Sequence, residues 1–197
     1  MKTFSSKLYQ AMEWITKFAF LQLLWVLGTL AGLIVLGIYP ATGAAFSVTR
    51  KWLNGKTDQK VLSMFYHYYR KDFVKLNVLG LWINFLLLLV YLDIFYLQNN
   101  QSLLSIPFFA FIFILAHYLL YIFPVYAHFE YTVGEVIKNT FFLLIVNPTA
   151  SFFLGLTTIL LTILYVLFPA VSAIFGISLF AFLITWNARF TFQKLKN

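Results

Sequence analysis

The sequence predicts an all-α fold: a polytopic transmembrane helix bundle of about five spans, with one amphipathic helix on its cytoplasmic side. Three observations carry this. From Asn139 to Ala188 there is no Asp, Glu, Lys or Arg, and Phe18–Thr49, Leu76–Leu92 and Ile94–Phe129 are equally free of them. About twenty apolar residues are enough for one crossing. The chain is 62% hydrophobic, 21% aromatic and 10% charged, where a soluble domain carries about a quarter charged residues. Stretches such as Phe85–Tyr91 and Leu156–Leu167 do not alternate, whereas barrel strands do. Hydrocarbon requires every backbone group to be paired internally, so helices remain.

The elements follow in order within a single membrane domain, 1–197. Residues 1–17 form an amphipathic head with Leu8, Met12 and Ile15 at helical spacing. Lys2, Lys7 and Lys17 imitate a signal peptide, but the apolar run behind them is too long and the rest of the chain is membranous as well. The first span is 18–39. Pro40 pushes Tyr39 out of helical geometry, so a break or kink is expected there. Asn54-Gly55 marks a turn. An amphipathic helix over 59–75 has Leu62, Phe65, Tyr66, Tyr69 and Phe73 on one face and suits a membrane surface. The second span is 76–97, the polar Gln98–Ser102 is a hairpin, and the third span is 103–126. A short loop with His128, Glu130, Glu135 and Lys138 follows. Asn147-Pro148 breaks a half-buried helix and starts another. The fourth and fifth spans are 151–168 and 171–188, with Pro169 at the turn.

Orientation is read from the 14 Lys and Arg, which collect on the cytoplasmic side. Five crossings with the N-terminus outside and the C-terminus cytoplasmic put eleven of them inside. A re-entrant hairpin over 18–53, folded about Pro40, would put all fourteen inside. Residues 18–39, about 33 Å long as a helix, favour the full crossing.

Several constellations have a functional and a structural reading. Gly28 and Gly32 form a GxxxG pattern extended by Gly37. Small residues let helices approach closely, and packing within one chain is favoured over a dimer interface. Asn84 and His117 lie at depth, where polar groups are costly. They read either as a polar pathway or as single interhelical hydrogen bonds, and the latter is favoured. Trp14, Trp52, Tyr96, Tyr121 and Tyr126 suit an interfacial belt. The basic run Arg70–Lys75 could anchor topology or recruit anionic lipid. His128, Glu130 and Glu135 lack zinc-site spacing. There is no nucleophile elbow or phosphate-cradling glycine loop, and no cysteine for thiol chemistry. No catalytic, cofactor or metal site is expected, and no nucleic acid partner; the lipid bilayer is the expected surrounding.

The stretch Leu24-Trp25, Gly32 to Gly37, Ile38-Tyr39-Pro40-Ala41-Thr42 and Arg50-Lys51-Trp52, followed by Tyr69-Arg70-Lys71-Asp72-Phe73 and Asn77 to Gly80, resembles the YesL-like family of bacterial membrane proteins. The resemblance is best over residues 14–85. It implies a family of unknown function, found mainly in Gram-positive bacteria and often encoded near carbohydrate uptake systems, with no agreed catalytic residues. The expectation is a non-enzymatic plasma-membrane protein accessory to sugar uptake or sensing, with an uptake system or other membrane proteins as partners. The alternative is a small transporter or channel acting as an oligomer, with Pro40 and the Asn147-Pro148 break lining its site.

Overall fold

The computed structural model describes residues 2–99, 105–129 and 131–194. Glu130 and residues 100–104, which hold most of the expected polar hairpin, lie outside the described residues. Eight helices make the fold: α1 (Lys2–Ala31), α2 (Ile38–Leu53), α3 (Val61–Lys71), α4 (Phe73–Asn99), α5 (Ser105–His128), α6 (Val133–Val146), α7 (Pro148–Leu167) and α8 (Pro169–Lys194). Five segments are long and apolar enough to cross a membrane: Lys7–Ala31, Phe73–Leu97, Ile106–His128, Pro148–Leu167 and Pro169–Arg189. The fold is an all-α membrane bundle. Its outer surface carries exposed Leu81, Phe113, Ile159 and Val166, while Thr49, Thr140 and Ser178 are buried.

Prolines mark the starts of four of the eight helices among the described residues. Pro148 and Pro169 are the first residues of α7 and α8, and Pro40 and Pro107 fall in the first turns of α2 and α5. Those positions have no intrahelical partner for an amide, so its absence costs nothing. α6 begins with a capping box, in which Thr132 Oγ1 accepts from the Glu135 amide and the Glu135 carboxylate accepts from the Thr132 amide.

The largest departure from the sequence reading is at residues 32–37. The first helix does not run through Tyr39 as one crossing; it ends at Ala31 and the chain turns back. α1 and α2 then pack antiparallel, with Trp25 Nε1 donating to Thr42 Oγ1 at 3.0 Å and Trp14 and Phe18 edge-on to Trp52. Two glycines make the turn possible. A Cβ on Gly32 would lie 2.3 Å from Gly37 Cα, and one on Gly37 would lie 2.3 Å from the Thr29 carbonyl oxygen. Every amide from Gly32 to Ile38 donates to a backbone carbonyl. Leu33 and Ile34 take φ of 55° and 66°, a left-handed conformation that a β-branched residue rarely accepts. Pro40 is neither the hinge nor a kink. It sits just inside α2, because the turn has already been made.

α2 is the central helix, with Pro40 to Thr49 buried continuously. α8 runs parallel to it, with Thr49 against Thr185 and Arg189 donating to the Leu53 carbonyl. α5 is also parallel, with Phe46 stacked on Phe123. α4 is antiparallel, with Leu76 over Gly43 and the Tyr39 ring over Gly80. Gln22 of α1 accepts from the Ile177 amide of α8 at 2.9 Å, and Asn187 of α8 donates to Thr157 of α7 at 3.0 Å. Such side-chain ties hold helices together where lipid offers no hydrophobic driving force.

One further expectation is corrected by this arrangement. Trp14 of α1 touches Phe182 of α8, so the N-terminal and C-terminal helices meet at one end of the bundle. Trp52, Tyr121 and Tyr126 are buried in helix contacts and do not form an outward-facing belt.

Candidate functional site

The open end of the α1–α2 hairpin, where Trp14 meets Trp52, carries the charge. Lys17 pairs with Glu13 at 2.6 Å, and Arg50 and Lys51 end α2. Arg70 and Lys71 end α3, with Lys75 one turn into α4. Their convergence creates a cavity of about 300 Å³ lined by Arg50, Lys51, Lys71, Lys75, Asp72 and Tyr126, with Ser47 and Tyr68 beside them. Arg50 donates to the Ala127 carbonyl of α5, which fixes its guanidinium between α2 and α5. Its Nε is buried without a partner. Lys75 Nζ lies 5.1 Å from the centroid of the Tyr126 ring, within cation–π range. The Asp72 carboxylate interacts with the Tyr126 hydroxyl. Next to this cluster the capping bond from the Thr132 backbone, aided by its hydroxyl and by nearby Lys75, holds the Glu135 carboxyl below its ordinary range.

The closed end of the hairpin is the opposite in character. Leu33 is 82% exposed, and Ile34, Val35 and Leu36 are exposed with it. This tip packs beside the middle of α4, where Val35, Leu36 and Tyr39 share a second, apolar cavity with Asn77, Leu81 and Asn84. Tyr39 donates to Asn84 Oδ1. α4 continues from Asn84 to Asn99, about 22 Å at 1.5 Å per residue.

The residues singled out in the sequence lie in separate places. Gly28 accepts the Tyr69 hydroxyl of α3 at 2.8 Å on its carbonyl and lies under the Phe65 ring. Gly32 and Gly37 close the turn, and Pro40 starts α2. Asn84 faces the tip. His117 Nδ1 is 2.9 Å from the Phe113 carbonyl of its own helix, so its bond is local and not interhelical. Its ring packs over Gly155 of α7, with Nε2 2.7 Å from where a Cβ would stand. Asn147 closes α6, and Pro148 opens α7. Asn84, His117 and Asn147 thus make their described contacts in three different places. The cavity at the open end drew on one sequence signal, the Arg70–Lys75 run. Arg50 and Tyr126 reach it only through the fold.

Residues 18–94 match the family described as "Protein of unknown function, DUF624". Three proteins of Bacillus subtilis (strain 168) are similar over most of the chain. The uncharacterized protein YesV is 32% identical over 98% of this chain and 94% of its own length. The uncharacterized protein YteU is 33% identical over 86% of this chain and 78% of its own. The chain belongs to this YesL-like family. The uncharacterized protein YesL itself is 36% identical over 70% of this chain, which spans 66% of that relative's length. No solved structure matches. The part matched to the family runs from α1 into α4, and so includes the hairpin turn together with Arg50, Lys51, Lys71 and Lys75. Tyr126, on α5, falls beyond it.

Proposed function

We propose that this YesL-like protein is a non-enzymatic accessory subunit of the bacterial plasma membrane, serving carbohydrate uptake or its sensing, with both chain ends in the cytoplasm. One observation carries the reading of sidedness. Arg50, Lys51, Lys71, Lys75 and Arg189 gather at the open end of the bundle, while Asp93 lies toward the far end of α4. Basic residues accumulate on the cytoplasmic side. On this reading α1 and α2 form a re-entrant hairpin. The charge-free part of α1, Phe18–Ala31, is about 21 Å long, short of the roughly 30 Å hydrocarbon core, although the whole segment Lys7–Ala31 is long enough to cross. A turn whose amides are all bonded and whose side chains are apolar suits hydrocarbon, which tolerates no unpaired backbone.

The accessory role is supported by the resemblance stated above and by a bundle whose polar residues at depth do not converge. Affinity purification of the chain in mild detergent tests it. The expected result is stoichiometric recovery of a membrane component of a sugar uptake system, identified by mass spectrometry. Recovery of the chain alone, together with sugar or ion flux in liposomes containing only this protein, would replace the accessory role with a transporter.

A further inference from the structure

Four cations and one carboxylate line the cavity at the open end of the bundle. They come from two segments, the end of α2 and the junction of α3 with α4, which the fold brings together. Like charges brought together repel, and truncating or pairing them is the ordinary remedy. Here neither occurs. Among the described residues the only ion pair is Lys17–Glu13, and none of their carboxylates lies within 4 Å of Arg50, Lys51, Lys71 or Lys75. Asp72 is engaged with Tyr126, and Arg50 Nε is buried without an acceptor. Lys75 adds its charge to the first turn of α4, whose acidic positions are empty. The positive end of a helix dipole is where a cation is disfavoured and an anion favoured.

We propose that this cavity binds a phosphate-bearing anion, with Arg50, Lys51, Lys71 and Lys75 as its cationic donors and Tyr68 and Ser47 offering hydroxyls. A multiply charged oxyanion meets all the open requirements together. It neutralises the ammonium and guanidinium groups that line the cavity, and it sits at the start of α4. Guanidinium and ammonium bonds to phosphate are among the stronger charge-assisted hydrogen bonds. A cavity of about 300 Å³ is at the small end of small-molecule sites, wide enough for a phosphate ester or the headgroup of an anionic lipid. This inference does not depend on the accessory role.

The test uses the full chain in an uncharged detergent, with inorganic phosphate, glycerol 3-phosphate and phosphatidylglycerol in mixed micelles as three probes. At least one should raise the melting temperature above that in chloride of equal ionic strength, and calorimetry should give a saturable Kd. The double variant Lys71→Gln with Lys75→Gln should bind about tenfold more weakly or worse, while Lys138→Gln, on α6, should bind as the parent does. A response to phosphatidylglycerol alone identifies a lipid headgroup; a response to the soluble probes identifies a free phosphate or phosphoester. Either supports the site. If none of the three exceeds chloride, or if the double variant binds undiminished, the proposal fails. Should the double variant not fold, amine labelling of the parent protein decides the matter. Bound probe should protect Lys71 and Lys75 and leave Lys138 reactive, and equal labelling of all three overturns the site.

Discussion

Replacing Gly37 by alanine tests the hairpin turn at its tightest point. The added Cβ would stand 2.3 Å from the Thr29 carbonyl oxygen and 2.8 Å from that of Gly28. Both are backbone atoms of the last turn of α1, so no side chain can rotate away, and relief requires α1 and α2 to separate. Gly37 has φ −91° and ψ −30°, which any residue adopts, so the penalty is steric alone. Overpacking costs about 1–3 kcal/mol where side chains can adjust; against backbone about 3 kcal/mol or more is expected. For a chain of this size each kcal/mol moves Tm by about 2–4 °C, giving a fall of about 6–12 °C. Melting of detergent-solubilised protein, followed by size-exclusion chromatography, measures it. Gly134→Ala is the control: nothing lies within 4 Å of its added Cβ, and a helical position gains up to about 1 kcal/mol from the change. If Gly37→Ala melts within about 2 °C of the parent, the close crossing at the turn is wrong.

Other consequences follow from named contacts. Thr132→Ala removes the cap of α6 and should lower stability by about 0.5–2 kcal/mol, read from the same melts. The Glu135 carboxyl is held below its ordinary range by that cap. Its contribution is therefore present above the unfolded carboxylate pKa, near 4.3, and is lost as pH falls through the lower folded value. Of the bonds to the carboxylate, Thr132→Ala keeps that from the backbone N–H and removes only the hydroxyl's, so the gap between parent and variant should narrow on acidification, and a gap that widens below pH ~4 would contradict the assignment. Trp52 is 3% exposed and meets both Trp14 and Phe18. Trp52→Ala should cost about 3–5 kcal/mol, whereas Tyr66→Ala, with its ring 57% exposed, should cost far less.

The helices themselves were legible because charge-free runs leave little choice of solvent or secondary structure. Pro148 marks a helix start, since proline in a first turn carries a local steric meaning, while Pro169, read as the turn before a span at 171, is itself the first residue of α8. The amphipathic segment was placed over 59–75 and is divided in the structure at Asp72 into α3 and the start of α4. The hairpin turn was hidden for a physical reason. In water a turn is marked by Asn, Asp, Gly or Pro, but a turn facing hydrocarbon has to stay apolar. Gly32-Leu33-Ile34-Val35-Leu36-Gly37 therefore looks like continuous helix, and its two glycines read as a packing pattern. The cationic cavity was half visible. Arg70–Lys75 stood out as a basic run, while Arg50 and Tyr126 join it only because α2 and α5 run parallel, which no local pattern encodes.

Because the chain has no cysteine, single-cysteine labelling tests the central claim, a hairpin that enters and leaves the bundle on one side. Leu8→Cys and Asn54→Cys report its two arms, Leu33→Cys its tip, and Phe168→Cys the turn between α7 and α8. With a membrane-impermeant maleimide on intact cells, only Phe168→Cys should react. Leu8→Cys and Asn54→Cys should react together once the cells are opened, and Leu33→Cys in neither condition. Labelling of Leu8→Cys in intact cells while Asn54→Cys stays protected would show that the first helix crosses the membrane, and would contradict the hairpin.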